Sequence, residues 1–173
     1  MFVHINNASL KIEVLGDAAV PITVIAHHGA PGLSAFSEPK AAFGSLAKCE
    51  PGRYRVMVFD ARGSGESEYT SPESYTHEQW TADINAIREW AGVEKIVMAG
   101  VSYGGFLSLE YAIRYPDTVS ALVLRDTAAD SMWLINAREH AKNSDRVNID
   151  MEIYDRIFEG RLRDNEDLGR GIR

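Results

Sequence analysis

The sequence predicts an α/β protein with a mostly parallel central sheet and helices on both faces. Short aliphatic runs alternate with longer helical patterns, the order expected when parallel strands are joined by crossover helices. Several of those runs are apolar throughout, as strands covered on both faces are. No internal repeat or low-complexity tract interrupts the alternation.

The elements follow in order. "LKIEVL", Leu10 to Leu15, alternates apolar and polar side chains like a half-exposed edge strand, and Asp17 supplies a turn after it. "ITVIA", Ile22 to Ala26, is continuously apolar and β-branched, which predicts a strand buried on both faces. "YRVMVFD" (Tyr54 to Asp60), "KIVMAG" (Lys95 to Gly100) and "VSALVLR" (Val119 to Arg125) are of the same kind. Thr76 followed by Gln79 forms a capping box, after which Trp80, Ile84, Ile87 and Ala91 share one face until Gly92 stops the helix. Tyr103 to Tyr115 is apolar almost all round, as a helix buried against a sheet is, and Pro116 prevents its continuation. Beyond Asp130 the chain is strongly charged and helical in periodicity, without a further aliphatic strand. Residues 1–129 therefore read as the core, and 130–173 as helical excursions lying over it. A parallel sheet that stops at this point leaves an edge open, which predicts self-association through it.

The composition narrows the partners. Acidic residues outnumber basic ones, 25 to 18, and the basic ones are scattered, so no continuous positive face exists for nucleic acid. Cys49 is alone, which excludes an intrachain disulfide and a multi-cysteine metal site and fits a reducing compartment. The opening "MFVHINNASL" has neither a basic nor an apolar targeting region, and no apolar run reaches membrane-spanning length. The expectation is a cytoplasmic protein with no membrane partner. "NAS" at Asn7 to Ser9 matches a glycosylation acceptor, but without a secretory signal it reads as a polar turn.

Three motifs carry chemistry. "GVSYG", Gly100 to Gly104, is G-x-S-x-G with a strand before it and a helix after it. A sharp turn there lifts the Ser102 hydroxyl above the sheet, and the first amides of the helix, Tyr103 among them, are free to face a developing oxyanion. The alternative is that Ser102 only caps the helix. "HHGAPG", His27 to Gly32, follows another strand, and its backbone can present a second donor, Ala30 before Gly29; an ordinary Pro-Gly turn is the alternative. "DARGSGES", Asp60 to Ser67, departs from a dinucleotide fingerprint, because Ser67 stands where the third glycine belongs and no helix follows at once. Asp60 and Arg62 read as anchors of a loop beside the site, with direct substrate contact by Arg62 as the alternative.

Taken together, these three motifs on three strand ends resemble the α/β-hydrolase superfamily over about Val3 to Asp126, and the "HGAPG" loop is similar to that of proline iminopeptidases. The resemblance implies a serine hydrolase acting on a small-molecule or short-peptide substrate, with no metal and no organic cofactor. Ser102 is then the nucleophile, and Ala30 and Tyr103 are the oxyanion donors. Ala30 stands where iminopeptidases usually have glycine, and Tyr103 where they have tryptophan, so N-terminal proline, ester and lactone substrates all stay open. A serine on the turn, where epoxide hydrolases carry aspartate, points away from those enzymes.

In this superfamily the triad runs serine, acid, histidine, with the last two after a helical cap. The chain ends inside what looks like that cap, so the resemblance implies a C-terminally truncated fold and a form in which activity is open. A non-catalytic binding protein or an inactive fragment is the alternative function. Within the chain the order Ser102, Asp126, His140 is formally satisfied, yet "NAREHAKN" is an amphipathic stretch in which His140 reads as solvent-facing. His4, His27, His28 and His77 precede the serine and read as packing, loop or surface residues.

Overall fold

The computed structural model describes residues 1–29, 36–130, 132–145, 149–159 and 161. Contacts divide the chain into two compact units, Met1–Ala129 and Asp130–Arg173.

The first unit is built on a six-stranded sheet. Its strands are β1 (Phe2–Ile5), β2 (Ala8–Leu15), β3 (Ile22–His27), β4 (Tyr54–Phe59), β5 (Ile96–Val101) and β6 (Val119–Arg125), in the spatial order β1-β2-β4-β3-β5-β6. β3–β4, β3–β5 and β5–β6 pair in parallel, whereas β1–β2 and β2–β4 are antiparallel. The helices are α1 (Ser37–Phe43), α2 (Leu46–Cys49), α3 (His77–Trp90) and α4 (Tyr103–Arg114).

Alternation along the strands explains why the central runs are apolar at nearly every position. Ile25, Met57, Phe59, Ile96 and Met98 face one core together with Ile84, Ile87 and Tyr111. Their neighbours Val24, Ala26, Val56, Val58, Ala99 and Val101 face a second core that contains Phe43. Helices therefore cover both faces of the sheet. Full burial of Ile84 and Ile87 contributes about 2 kcal/mol each to holding α3 against it.

The start of α3 depends on Thr76, whose hydroxyl accepts the Gln79 amide. The reciprocal half of the capping box is absent, because the Gln79 side chain donates to Asp83 instead. Gly92, at φ +70°, ends the helix in a conformation that side chains resist. α4 is buried along one side through Gly104, Gly105, Leu107, Ser108 and Tyr111, while Ile113 is 77 % exposed, so the helix is less enclosed than its composition predicts.

The edges correct two sequence expectations. Leu10 to Leu15 is not an edge strand, since β1 folds back on β2 through Asn6 and Asn7, both at positive φ. Conversely, β6 is not covered on both faces: Leu122, Val123 and Leu124 are each about two-fifths exposed, at 37 %, 41 % and 42 %. Apolar content alone does not tell a central strand from an apolar edge.

The second unit holds α5 (Met132–Lys142) and α6 (Met151–Phe158). Asp150 caps α6 by accepting the amides of Glu152 and Ile153. Arg138 and Asp155 join the helices through two bonds of 2.7 Å, and Trp133 and Tyr154 pack on Phe158. Among the described residues no helix is long and apolar enough to cross a membrane.

Candidate active site

Parallel register brings the three motif loops to one end of the sheet. Ala26 pairs with Val58, and His27 pairs with Gly100, so the chain leaving β4, β3 and β5 emerges at a shared carboxyl edge. Ser102 is the first residue past β5. Its backbone sits at φ 51° and ψ −118°, a strained conformation for a residue with a side chain. Two backbone bonds hold it there: its N–H donates to the Arg125 carbonyl at 2.9 Å, and its own carbonyl accepts from Gly105 at 2.9 Å. The side chain does not cap α4, and the residue is exposed.

The glycines around the serine permit this turn sterically. A methyl group on Gly100 would lie 2.2 Å from the Gly104 carbonyl oxygen, and one on Gly104 would lie 2.5 Å and 2.6 Å from the carbonyls of His28 and His27. Strand, helix and neighbouring loop thus meet backbone to backbone. Ser108 completes the contact by donating to the Gly104 carbonyl at 2.7 Å.

Tyr103, at the first position of α4, has an amide that the helix leaves without an intrahelical acceptor. Its phenol is hydrogen-bonded to His77 Nε2 at 2.8 Å and packs edge-on against Trp80 and Phe106, forming an aromatic wall beside the serine. Burial raises the Tyr103 phenol above its ordinary pKa of 10.0, so it stays a neutral hydrogen-bonding group.

The β3 loop is fixed by its histidines. His28 Nδ1 lies 2.9 Å from the Gly29 carbonyl and its Nε2 accepts the Ala61 N–H at 3.2 Å, a pattern that requires the neutral Nδ1–H tautomer. His27 Nδ1 likewise meets the His28 carbonyl at 2.9 Å. Burial, then the charge of His28, lowers the His27 pKa to about 3, and burial also lowers that of His28. Both rings are neutral structural supports. Ala30 lies outside the described residues. Gly29, the second candidate on this loop, donates its N–H to the Glu38 carboxylate, so that amide is already engaged.

In the β4 loop, the Asp60 carboxylate accepts the amides of Phe36 and Glu66, each at 2.7 Å. Arg62 is buried and makes two 2.9 Å bonds to Asp83, which leaves it an anchor and not a substrate contact. Asp126 follows β6 at φ 49°, exposed and paired with Arg125 at 3.1 Å. His140 is an exposed residue of α5 in the second unit. Among the described residues, no imidazole is hydrogen-bonded to the Ser102 hydroxyl. Glu38 and Asp83 were not singled out by the sequence motifs; the readable signal was Asp83 lying on the buried face of α3 beside Ile84 and Ile87.

Comparison with known proteins agrees with the fold. The family described as the alpha/beta hydrolase fold matches residues 22–159. The chain belongs to the α/β-hydrolase family. This α/β-hydrolase is 42% identical over 129 residues to proline iminopeptidase PfmaB of Pestalotiopsis fici, covering 73% of this chain and 43% of that protein. It is 36% identical over 121 residues to a proline iminopeptidase of Neisseria meningitidis, covering 67% and 37%. The chain therefore spans about two-fifths of the length of the curated relatives it matches. Among solved structures, epoxide hydrolase A from Mycobacterium thermoresistibile is similar with a TM-score of 0.64 at 27% identity, covering 72% of this chain and 37% of that one. The enol-lactonase from Burkholderia xenovorans LB400 has a TM-score of 0.65 at 21% identity, covering 83% and 54%, a likeness of fold.

Proposed function

We propose that this α/β-hydrolase cleaves an amide or ester bond through an acyl-enzyme on Ser102, in the manner of a proline iminopeptidase. One observation carries the reading: Ser102 stands at positive φ between β5 and α4, exposed, with a glycine on each side where backbone meets backbone. Strain of that kind is kept where the fold over-determines it, and here it serves to present a hydroxyl. In the proposed reaction the Ser102 oxygen bonds to the substrate carbonyl carbon and its proton passes to a base. The negative charge on the carbonyl oxygen is met by the Tyr103 amide and by a second donor from the β3 loop, for which Ala30 is the candidate. Collapse of this intermediate expels an amine or alcohol that takes up the proton, and water then hydrolyses the ester left on the serine.

Full turnover is assigned to a protein that also carries the remaining length of the relatives, where the resemblance puts the triad acid and base. Asp126 and His140 are the in-chain candidates. The exposed pairing of Asp126 with Arg125 favours, for the 173-residue chain alone, a second reading as a binding protein without turnover. Labelling with a fluorophosphonate separates the two. Covalent modification of the folded wild-type chain that disappears in Ser102→Ala supports the hydrolase; a folded chain that takes no label supports the binding protein.

A further inference from the structure

His27 closes β3, is buried, and takes no part in the proposed chemistry. Its Nδ1 faces the His28 carbonyl, which can only accept, so Nδ1 carries the ring hydrogen and Nε2 of the neutral ring is a bare lone pair. Among the described residues that nitrogen meets no protein donor. A buried acceptor is bonded in nearly every folded protein, to the chain itself or to an ordered water, and leaving it alone is costly.

A small cavity lies against the ring. Its lining includes His27 and His28 at the end of β3, Ser64 in the β4 loop, Trp80 of α3 and Tyr103 of α4. The space open to the centre of a water molecule is about 10 Å³, room for one such molecule and far too little for an organic ligand. Most polar side-chain groups around it are already engaged. His28 uses both ring nitrogens, the Trp80 N–H donates to the Arg62 carbonyl at 3.2 Å, and the Tyr103 phenol is bonded to His77. His27 Nε2 and the Ser64 hydroxyl remain, and they do not bond each other. Ser64 is held in its turn, its N–H donating to the Ala61 carbonyl at 2.9 Å and its carbonyl accepting from Ser67 at 3.0 Å, and it is only 3% exposed. Two polar groups around one water-sized space, too far apart to meet directly, are the arrangement that a bridging water satisfies.

We infer that this cavity is a binding site for one ordered water molecule, which donates a hydrogen bond to His27 Nε2 and joins it to the Ser64 hydroxyl. One hydrogen of the water meets the imidazole lone pair, and its oxygen accepts the Ser64 O–H. The bridge ties the end of β3 to the β4 loop. Gly29 and Tyr103 also line the cavity, so the water backs the two segments that meet at Ser102. The site stands whether or not Ser102 is acylated, because it depends on a neutral His27 and on the cavity alone.

The test uses the full 173-residue chain at pH 7 and water itself as the probe. Rotating-frame Overhauser spectra are expected to show contacts between the His27 ring protons and a water that stays bound longer than the protein tumbles. Oxygen-17 relaxation dispersion counts such long-lived waters. His27→Phe removes the lone pair and Ser64→Val removes the hydroxyl, each while filling space, and each is expected to lower that count by about one. A wild-type His27 ring without water contacts overturns the inference. So does an undiminished count in either variant once it is shown to be folded, since the water is then held by other groups. Should a variant fail to fold, the wild-type ring contacts decide the matter alone.

Discussion

Replacing Asp83 with alanine is expected to be the most damaging single change of charge in the first unit. The Asp83 carboxylate accepts two bonds from Arg62 at 2.9 Å, one from Asn6 at 2.9 Å and one from Gln79 at 2.9 Å. The side chains of Arg62 and Asp83 are 4% and 2% exposed, so water cannot replace a lost partner. Removing one member of a buried pair costs about 3–5 kcal/mol, because the other charge stays desolvated. Against a total stability of about 5–15 kcal/mol for a domain, that is a large fraction. With a urea m-value of about 2 kcal/mol/M, the unfolding midpoint of Asp83→Ala falls by about 2 M. Arg62→Met/Asp83→Leu, which removes both charges and refills the space, is expected to lose less than Asp83→Ala alone. Urea unfolding followed by circular dichroism measures all three proteins. An Asp83→Ala midpoint within about 0.5 M of wild type, or a double variant less stable than the single one, refutes the account of the pair as a buried anchor.

Three other outcomes are expected. Gly104→Ala drives a methyl group to 2.5 Å from the His28 carbonyl oxygen, which costs about 1–3 kcal/mol; the urea midpoint should fall, and fluorophosphonate labelling of Ser102 should slow in the protein that remains folded. Because the folded-state pKa of His27 is depressed to about 3 from 6.5, the unfolded chain binds the extra proton first as pH falls, and stability drops between those values by up to about 1.4 kcal/mol per pH unit. His28, depressed in the same direction, adds to this slope. Urea midpoints at pH 7 and pH 4.5 should therefore differ less in His27→Gln than in wild type, and equal differences would sink the assignment of a neutral buried ring. Tyr103→Phe removes the bond to His77 while keeping the aromatic wall, and is expected to cost about 1 kcal/mol, read as a lower urea midpoint with Ser102 labelling preserved.

The sheet was legible because β3, β4 and β5 put apolar residues on both faces, so that Thr23 and Arg55, which bond to each other, barely interrupt their pattern. The turn at Ser102 was legible for a similar reason, since Gly100 and Gly104 mark contacts that no side chain permits. β1 was missed: at four residues it is too short to show a period, and its signal lay in the turn, where Asn6 and Asn7 tolerate positive φ. Glu38 was missed because it lies outside the three motifs, and its partner Gly29 is nine residues away in sequence. Asp83 sits among the apolar positions of α3, but a sequence does not say which distant arginine pairs with it. The exposure of β6 was illegible because it depends on neighbours and not on the strand itself.

The abutment of Gly100 on the Gly104 carbonyl makes the location of the hydroxyl a property of the main chain. The Ser102 turn is held by backbone bonds to Arg125 and Gly105, with the Ser108 hydroxyl bracing the Gly104 carbonyl, so side chains elsewhere around the cleft can vary without moving it. Chemistry and selectivity are thereby separable in this architecture: the first is written in ribbon, the second in the groups that decorate it.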